Sequence, residues 1–302
     1  MKRKRKNRMK REIPLHLMIL PAFVITAVFS YIPMFGFIIA FQEYEPIYGF
    51  FKSEFVGLEN FRFILNMPNF WPIVRNTLVI SFGKIIGNLV VPIIISLMLN
   101  EVRSRRYKRG IQTIIYLPHF VSWIILSGMF IDILSPSDGI VNRILMSFGM
   151  EPVFFLGDEK IFPLTMIFTD VWKCFGYGTI VYLAALTSID LSLYEAAKVD
   201  GANHWQQLWH VTLPGLKPII VLMTVLSLGN VLNAGFDQIY NLCSPLVYST
   251  GDILDTVVYR LGIEQQLYSI STALSLVRAF VTLFFISLSY FLADRLAGYR
   301  VF

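Results

Sequence analysis

Charged side chains are scarce in this chain of 302 residues. Asp, Glu, Lys and Arg make up 15% of it and hydrophobic residues 55%, whereas a soluble domain carries about 25% charged residues. The mean hydropathy is +0.61. This composition excludes an ordinary soluble domain and indicates a membrane protein. Cysteine is scarce too: Cys174 and Cys243 give neither a framework of disulfides nor the spacing of a metal site.

Motifs that carry common chemistries are also missing. No GxxxxGK[ST] loop occurs in the sequence, so the chain does not by itself bind and hydrolyse ATP in the P-loop manner. The histidines show no HExxH or other metal-binding spacing, and no nucleophile elbow is present. We therefore predict that this chain has no catalytic residue and binds no metal or cofactor.

Apolar runs long enough to cross a membrane fill most of the chain. About 20 apolar residues span the hydrocarbon as a helix. Such runs lie at residues 14–41, 73–99, 110–134, 161–187, 213–236 and 268–294. The first run is too long for the core of a signal peptide and lacks a small-residue cleavage site, so we expect it to be retained. The sequence predicts an all-α integral membrane protein with about six transmembrane helices.

Lys and Arg outside the spans are unevenly distributed between the two sides, and they favour the cytoplasmic side. Sixteen lie in the N-terminal tail, the 100–109 connection, the 188–212 segment and the C-terminus, and five lie in the other loops. We therefore predict that 1–13 is a basic cytoplasmic tail and that 295–302 is a cytoplasmic C-terminus. Beside a membrane span, such a tail fits anchoring to anionic lipid far better than a nucleic-acid arm, so no nucleic-acid partner is expected.

The predicted extracytoplasmic loop 42–72 is rich in aromatic residues and is interrupted by prolines and glycines. Phe and Trp favour the headgroup level of a membrane, so we expect a structured interfacial segment here. Acidic residues concentrate in the outer loops. They either receive a soluble partner or merely balance the positive charge inside, and the sequence leaves both interpretations open.

Several polar residues fall inside the predicted spans, where they are costly. Asp170 and Lys173 are three residues apart and share a helix face. A self-neutralising pair is the favoured interpretation, and the wall of a solute path, with Trp172 beside it, is the alternative. Lys84 should face an acid, a cavity or another helix, and Arg278 should partner an acid. The other candidates for the path are Asn230, Asn233, Asp237 and Gln238, near the outer end of span five.

Residues 188–214 form a soluble-looking segment between two apolar runs. Ser188 or Asp190 can cap a helix over LSLYEAAKVD. Gly201 can adopt the positive φ that turns the chain, so that a second short helix, ANHWQQLWHV, leaves at an angle. Pro214 then suits the first turn of span five. The segment predicts a compact knob of two short helices that docks into a partner.

The same segment carries a specific resemblance. Glu195-Ala196-Ala197, three further residues, Gly201 and a closing Leu213-Pro214 resemble the cytoplasmic coupling loop of permease subunits of binding-protein-dependent ABC importers. The likeness extends over nearly the whole chain: YIPMFGFIIAFQEYEP, FVGLENF, VWKCFGYGTIVYLAAL and CSPLVY are similar to the LplB-type branch of MalF-like sugar permeases. It implies the type I ABC importer transmembrane fold over 73–294, with the coupling loop at 188–214.

The resemblance also implies partners and a mechanism. A second, related permease would complete the translocation path, and each permease would insert its coupling loop into one subunit of a cytoplasmic ABC ATPase dimer, which uses ATP and Mg²⁺. An extracytoplasmic binding protein would deliver a carbohydrate, either an oligosaccharide or a polysaccharide fragment. Glu195 would pair with a basic residue of the ATPase, Gly201 would turn the chain, and the two alanines would allow close approach. The location would be the bacterial plasma membrane.

Three other functions remain open at the level of sequence. The same machine with a non-sugar cargo is the first, and a membrane scaffold that docks no ATPase is the second. An integral membrane enzyme is the third, and the lack of any constellation of catalytic groups disfavours it.

The orientation can be tested by thiol labelling from the outside of intact cells. A cysteine introduced near residue 150 should react with an impermeant reagent, because that loop carries few Lys and Arg. A cysteine near residue 202 should stay unlabelled. The reverse pattern would overturn the orientation and, with it, the coupling-loop interpretation.

Overall fold

The computed structural model describes Pro14 and residues 16–297, with side chains described up to residue 291. The predicted tail 1–13 and the last residues of the predicted C-terminus 295–302 lie outside this range. The helices are α1 His16–Phe41, α2 Gly49–Lys52, α3 Glu59–Asn66, α4 Phe70–Glu101, α5 Arg105–Phe120, α6 Trp123–Ile133, α7 Ile140–Ser147, α8 Phe162–Thr187, α9 Leu191–Val199, α10 His204–Leu228, α11 Phe236–Leu242, α12 Tyr248–Gly251, α13 Leu254–Tyr259 and α14 Tyr268–Ala297.

The described chain divides into two compact units. The first contains the residues through Asn66 together with Arg260–Leu276, and the second contains Met67–Tyr259 with the remainder of α14. In the first unit, α1 presents apolar side chains that are almost all exposed within the chain. Strands β1 (Gln42–Glu43) and β2 (Glu54–Phe55) pair antiparallel, with Gln42 opposite Phe55. The loop after α1 is therefore structured, as the sequence predicted.

Four helices, α1, α4, α10 and α14, are long and apolar enough to cross a membrane by themselves. Two further pairs pass the same criterion together but are bent, α5 with α6 by 103° and α8 with α9 by 66°. The described chain thus holds four spans, or six when each bent pair counts as one. The count of six agrees with the predicted number of spans. The predicted span 161–187 agrees with α8, whereas the predicted span 110–134 is bent.

The predicted span 110–134 is not one straight helix, because it breaks between α5 and α6. Pro118 sits in the last turn of α5, where its ring removes a backbone donor. Val121 then takes an extended conformation, and the Ser122 hydroxyl caps α6 by accepting from the Ile125 amide. Apolar residues are present on both sides of the break, so a run of spanning length did not reveal it.

The predicted span 213–236 was wrong at both ends. Helix α10 begins nine residues earlier, at His204, and runs without interruption into the span through a π-helical turn at Leu208–Thr212. The second helix of the knob is therefore the start of span five, and Pro214 lies just after the π turn instead of opening the helix. At the other end, α10 stops at Leu228, and residues 229–235 form a turn before α11. We call these residues the span-five turn.

Helices α4 and α8 lie side by side at the centre of the second unit, with apolar clusters at both ends. At one end Ile80, Phe162 and Met166 pack with α11 and the segment after it. At the other end Leu99 and Leu186 pack with Leu216 of α10 and with half-buried residues of α5. The buried lysines Lys84 and Lys173 lie between the two clusters along the chain. This arrangement places the polar side chains near the middle of the spans.

The close contact between α5 and α8 depends on Gly176. A Cβ at this position would collide with the carbonyl oxygen and carbon of Ile115, and a backbone cannot move aside as a side-chain tip can. We expect Gly176→Ala to destabilise the protein by about 1–3 kcal/mol through overpacking. The measurement is the thermal midpoint of the purified protein in detergent.

Gly128→Ala is the matched control for that experiment. Gly128 also lies in a helix, but nothing is within 4 Å of the position its Cβ would take. The change should be neutral, or stabilising by at most about 1 kcal/mol through helix propensity. Equal shifts for the two variants would contradict the proposed contact between the helices.

Candidate functional site

The loop between α8 and α10 is fixed by hydrogen bonds at each of its helix ends. Asp190 caps α9 by accepting from the Ser192 amide at 2.9 Å, so the predicted cap is confirmed for Asp190. These hydrogen bonds also lower the pKa of the exposed Asp190 carboxyl. Ser188 instead donates to the Ala185 carbonyl. The direction of α9 is thus set before the EAA residues are reached.

Gly201 makes the turn between α9 and α10 with φ of +80°, as predicted. Its amide donates to the Lys198 carbonyl, and the Ala202 amide donates to the Ala197 carbonyl at 2.9 Å. These bonds satisfy carbonyls that the end of a helix leaves free. Glycine suits this position because a residue with a Cβ is strained at positive φ.

A capping box begins α10. The Asn203 side chain accepts from the Gln206 amide at 2.9 Å, and the Gln206 side chain accepts from the Asn203 amide at 2.7 Å. The Tyr194 hydroxyl lies 2.9 Å from the Thr212 hydroxyl, which ties α9 to the π turn. The knob is consequently a rigid body that is continuous with span five.

The outer face of this knob exposes the residues of the predicted coupling loop. Glu195, Ala196, Gly201 and Pro214 are exposed, and Ala197 and Leu213 are half-buried. Five large apolar side chains of the knob are also exposed among the described residues; they are Leu191, Leu193, Val199, Trp205 and Trp209. A cavity of about 570 Å³ lies between the knob and the end of α4, where His204 Nε2 is 3.1 Å from Glu101 Oε2. The knob therefore exposes both small residues, such as Ala196 and Gly201, and large apolar side chains.

A polar network joins α4, α8 and the span-five turn in the middle of the second unit. Lys84 Nζ lies 3.5 Å from Asp170 Oδ1, and Asn88 donates to Asp170 Oδ2 at 2.9 Å. On its other side, Lys84 donates to the Ala234 carbonyl at 2.6 Å and to the Gln238 side-chain oxygen. Lys84 therefore has an acid partner, Asp170, as predicted, and it also donates to the backbone carbonyl of Ala234.

The favoured pairing of Asp170 with Lys173 was wrong. Lys173 donates to the His119 carbonyl at 2.9 Å, and its ammonium lies 5.5 Å from the centre of the Trp123 ring. Asp170 and Lys173 share a face of α8, but each has its partner on a different neighbouring helix. Lys173 contacts a carbonyl of α5 and an aromatic ring of α6, whereas Asp170 contacts Lys84 of α4. Arg278 does pair with an acid, Asp255, as predicted.

The predicted path residues fall into two groups. Asp170, Lys173 and Gln238 are inward-facing and hold helices together; Trp172, Asn230, Asn233 and Asp237 are exposed to differing degrees. Trp172 contacts Phe130 edge-on and lines an apolar cavity of about 580 Å³. Asn230 and Asn233 lie on the span-five turn, and among the described residues their side chains bond to nearby backbone: Asn230 donates to the Leu226 carbonyl, and Asn233 accepts from the Gly235 amide. Asn88 was missed from the sequence, because its only signal was its place one turn after Lys84.

No group of three His, Cys, Asp or Glu residues is arranged to hold a metal ion within the part of the chain that the structure describes.

Three comparisons with known proteins agree with this geometry. Residues 88–299 match the model of the family described as "Binding-protein-dependent transport system inner membrane component". Protein LplB of Bacillus subtilis (strain 168) is 41% identical over 90% of this chain and 86% of its own length. The polygalacturonan/rhamnogalacturonan transport system permease protein YteP of the same organism is 41% identical over 94% of this chain and 87% of its own.

A solved structure matches as well. It is a chain of a bacterial alginate ABC transporter in complex with an alginate pentasaccharide-bound periplasmic protein. The TM-score is 0.88 at 37% identity, and the match covers 96% of each chain. The likeness therefore extends over the fold as a whole as well as the motif.

Proposed function

The chain belongs to the family of inner membrane components of binding-protein-dependent transport systems, and we propose that it forms, with a second and related permease, the translocation path of an ATP-driven carbohydrate importer. It is a multi-pass protein of the plasma membrane, with several apolar helices of spanning length. An extracytoplasmic binding protein delivers the cargo. The termini and the knob at 188–214 face the cytoplasm, in keeping with the distribution of Lys and Arg.

The cargo is an oligosaccharide or a fragment of a polysaccharide. Support comes from two relatives: YteP is named for polygalacturonan and rhamnogalacturonan transport, and the alginate transporter was solved with a pentasaccharide-bound periplasmic protein. Both resemble this chain over more than nine tenths of its length.

The knob at 188–214 is the coupling loop, and its continuity with span five is the observation that carries this role. Because α9, the Gly201 turn and α10 are bonded into one body, a displacement of the knob must move the cytoplasmic half of α10. ATP, with Mg²⁺, is bound and hydrolysed by separate ATPase subunits, and this chain is not itself an enzyme. Exposed Glu195 pairs with a basic residue of the ATPase, while Trp205 and Trp209 supply apolar contact area.

The path is lined by the exposed polar residues of the span-five turn. Asn230 and Asn233 offer amide donors and acceptors suited to sugar hydroxyls, and the partly exposed ring of Trp172 offers a face on which a pyranose can stack. Asp237 is exposed one turn further along. Three further residues do not contact the cargo but hold together the helices that carry the path residues; they are Asp170, Lys173 and Gln238.

The coupling role predicts that Gly201→Val and Glu195→Lys uncouple the machine without preventing membrane insertion. A β-branched residue at φ of +80° costs roughly 1–2 kcal/mol or more, and it turns α10 away from α9. Lysine at 195 brings like charges together at the ATPase contact. Both variants should reach normal levels in the membrane but retain less ATPase subunit when the complex is purified through this chain.

Gly201→Asn is the matched control, because asparagine tolerates the left-handed conformation better than other residues with a side chain. It should retain most of the ATPase subunit. If Gly201→Val and Glu195→Lys both retain normal ATPase association and full uptake, the knob is an ordinary connection and the proposed coupling is wrong.

Asn230→Ala and Asn233→Ala test the proposed path. Each removes hydrogen-bonding groups that no other helix uses within the described residues, so the amount of assembled complex should stay constant. Uptake should fall several-fold, because a lost hydrogen bond to cargo is worth about 0.5–1.5 kcal/mol. The assay uses the glycan that most stimulates ATP hydrolysis of the assembled complex with its binding protein. Normal uptake by both variants would assign these residues to packing.

A further inference from the structure

The span-five turn and the start of α11, which follows it, are tied to α4 and α8 by buried side chains. From α4, Lys84 donates to the Ala234 carbonyl at 2.6 Å and to the side-chain oxygen of Gln238. From the far side, Gln238 donates to the Met166 carbonyl at 2.9 Å and to the Thr169 hydroxyl at 2.7 Å. Ala234 and Gln238 are 0% exposed and Lys84 is 6% exposed. The turn is thus held against α4 through Ala234, and the start of α11 is held against α8 through Gln238.

Gly235, in the span-five turn, lies close to the ammonium group of Lys84. Its φ is +90°, and the position that a Cβ would take lies 2.8 Å from Lys84 Nζ. Any other residue here is strained by its backbone and also displaces the ammonium. Glycine at 235 and lysine at 84 therefore form one structural unit.

Asp170 has a different role in the same network. In the described part of the chain its carboxylate contacts the Lys84 ammonium and the Asn88 amide, and it makes no hydrogen bond to residues 229–238. A buried ammonium without an opposite charge is costly. The carboxylate therefore balances the charge of Lys84, while the bond from Lys84 to the Ala234 carbonyl is what reaches the turn.

We propose that Lys84 is a positioning residue of the translocation path, which clamps the Ala234 carbonyl and so fixes the span-five turn, with Asp170 serving only to compensate its charge. Asn230 and Asn233 are carried on the clamped turn. That these two asparagines face cargo rests on the proposed function, whereas the clamp rests on the distances given above. The two statements can fail separately.

A buried thiol at position 234 reports on the clamp without any cargo. The protein is the assembled complex in membranes, with Cys174 and Cys243 replaced by alanine and Ala234→Cys introduced. The probe is N-ethylmaleimide, and the readout is the rate at which the thiol is labelled. With Lys84 present the thiol is shielded and reacts slowly. Lys84→Met should raise the labelling rate at least tenfold, because the turn can then open.

Two controls separate the clamp from general loosening. Leu216→Cys places a thiol in the apolar cluster at the other end of α4 and α8, and its labelling should change less than twofold in the Lys84→Met background. Thr224→Val removes a hydroxyl of α10 that bonds only to the Ile220 carbonyl, and it should leave labelling at position 234 unchanged.

The double variant Lys84→Met with Asp170→Asn decides between the clamp and mere charge balance. It removes both charges of the Lys84–Asp170 contact, so neither is left without its partner. The amount of assembled complex should therefore return to within twofold of the parent even where either single variant assembles poorly. The proposal requires that labelling at position 234 nevertheless stays at least tenfold raised. If the double variant restores slow labelling, or if Lys84→Met leaves it slow, Lys84 does not position the turn and the proposal is wrong.

Discussion

The need to satisfy backbone groups where a span breaks governs the interior of this protein. Within hydrocarbon no water is available, and each unpaired carbonyl or amide costs several kcal/mol. The break between α5 and α6 and the turn after α10 leave carbonyls free, and a lysine donates to one carbonyl at each place. Lys84 donates to the Ala234 carbonyl at the span-five turn, and Lys173 donates to the His119 carbonyl at the end of α5. A charged donor makes a stronger hydrogen bond, about 1.5–3 kcal/mol, and a cation also suits the negative end of the α5 dipole.

The span-five turn lies at the end of a helix that is continuous with the knob. Helix α10 begins in the knob at residue 204 and ends at residue 228, where the span-five turn starts. The π turn at 208–212 is tied to α9 through the Tyr194–Thr212 hydrogen bond, so the knob cannot swing freely relative to the helix. A helix that is continuous from the knob to residue 228 transmits a displacement of the knob along its length instead of absorbing it.

The sequence predicted the local features of the structure and not the contacts between helices. Asp190 as a cap and Gly201 as a positive-φ turn follow from side-chain chemistry within a few residues, and long apolar runs report spans by length alone. The partner of Asp170 did not follow, because Lys84 and Lys173 are both within reach of its helix face and only the packing of α4 against α8 decides. The break after Pro118 was not predicted for a related reason. Apolar residues continue on both sides of it, and hydropathy does not report the angle between successive helices.

The scarcity of charge in this sequence acquires a structural meaning from these contacts. A cation in the middle of a span raises the free energy of membrane insertion by roughly 2.5–3.5 kcal/mol. Such a cation is therefore expected only where its ion pairs and hydrogen bonds offset that free energy. Arg278 meets Asp255, Lys84 meets both Asp170 and a carbonyl, and Lys173 meets a carbonyl and the face of Trp123. An apolar side chain at 84 or 173 removes the charge but leaves the carbonyl at the break unpaired. Lys84 and Lys173 are therefore kept because each pairs a carbonyl at a place where a helix ends. The turn after α10 also carries the exposed Asn230 and Asn233, which a straight apolar helix would have no reason to carry.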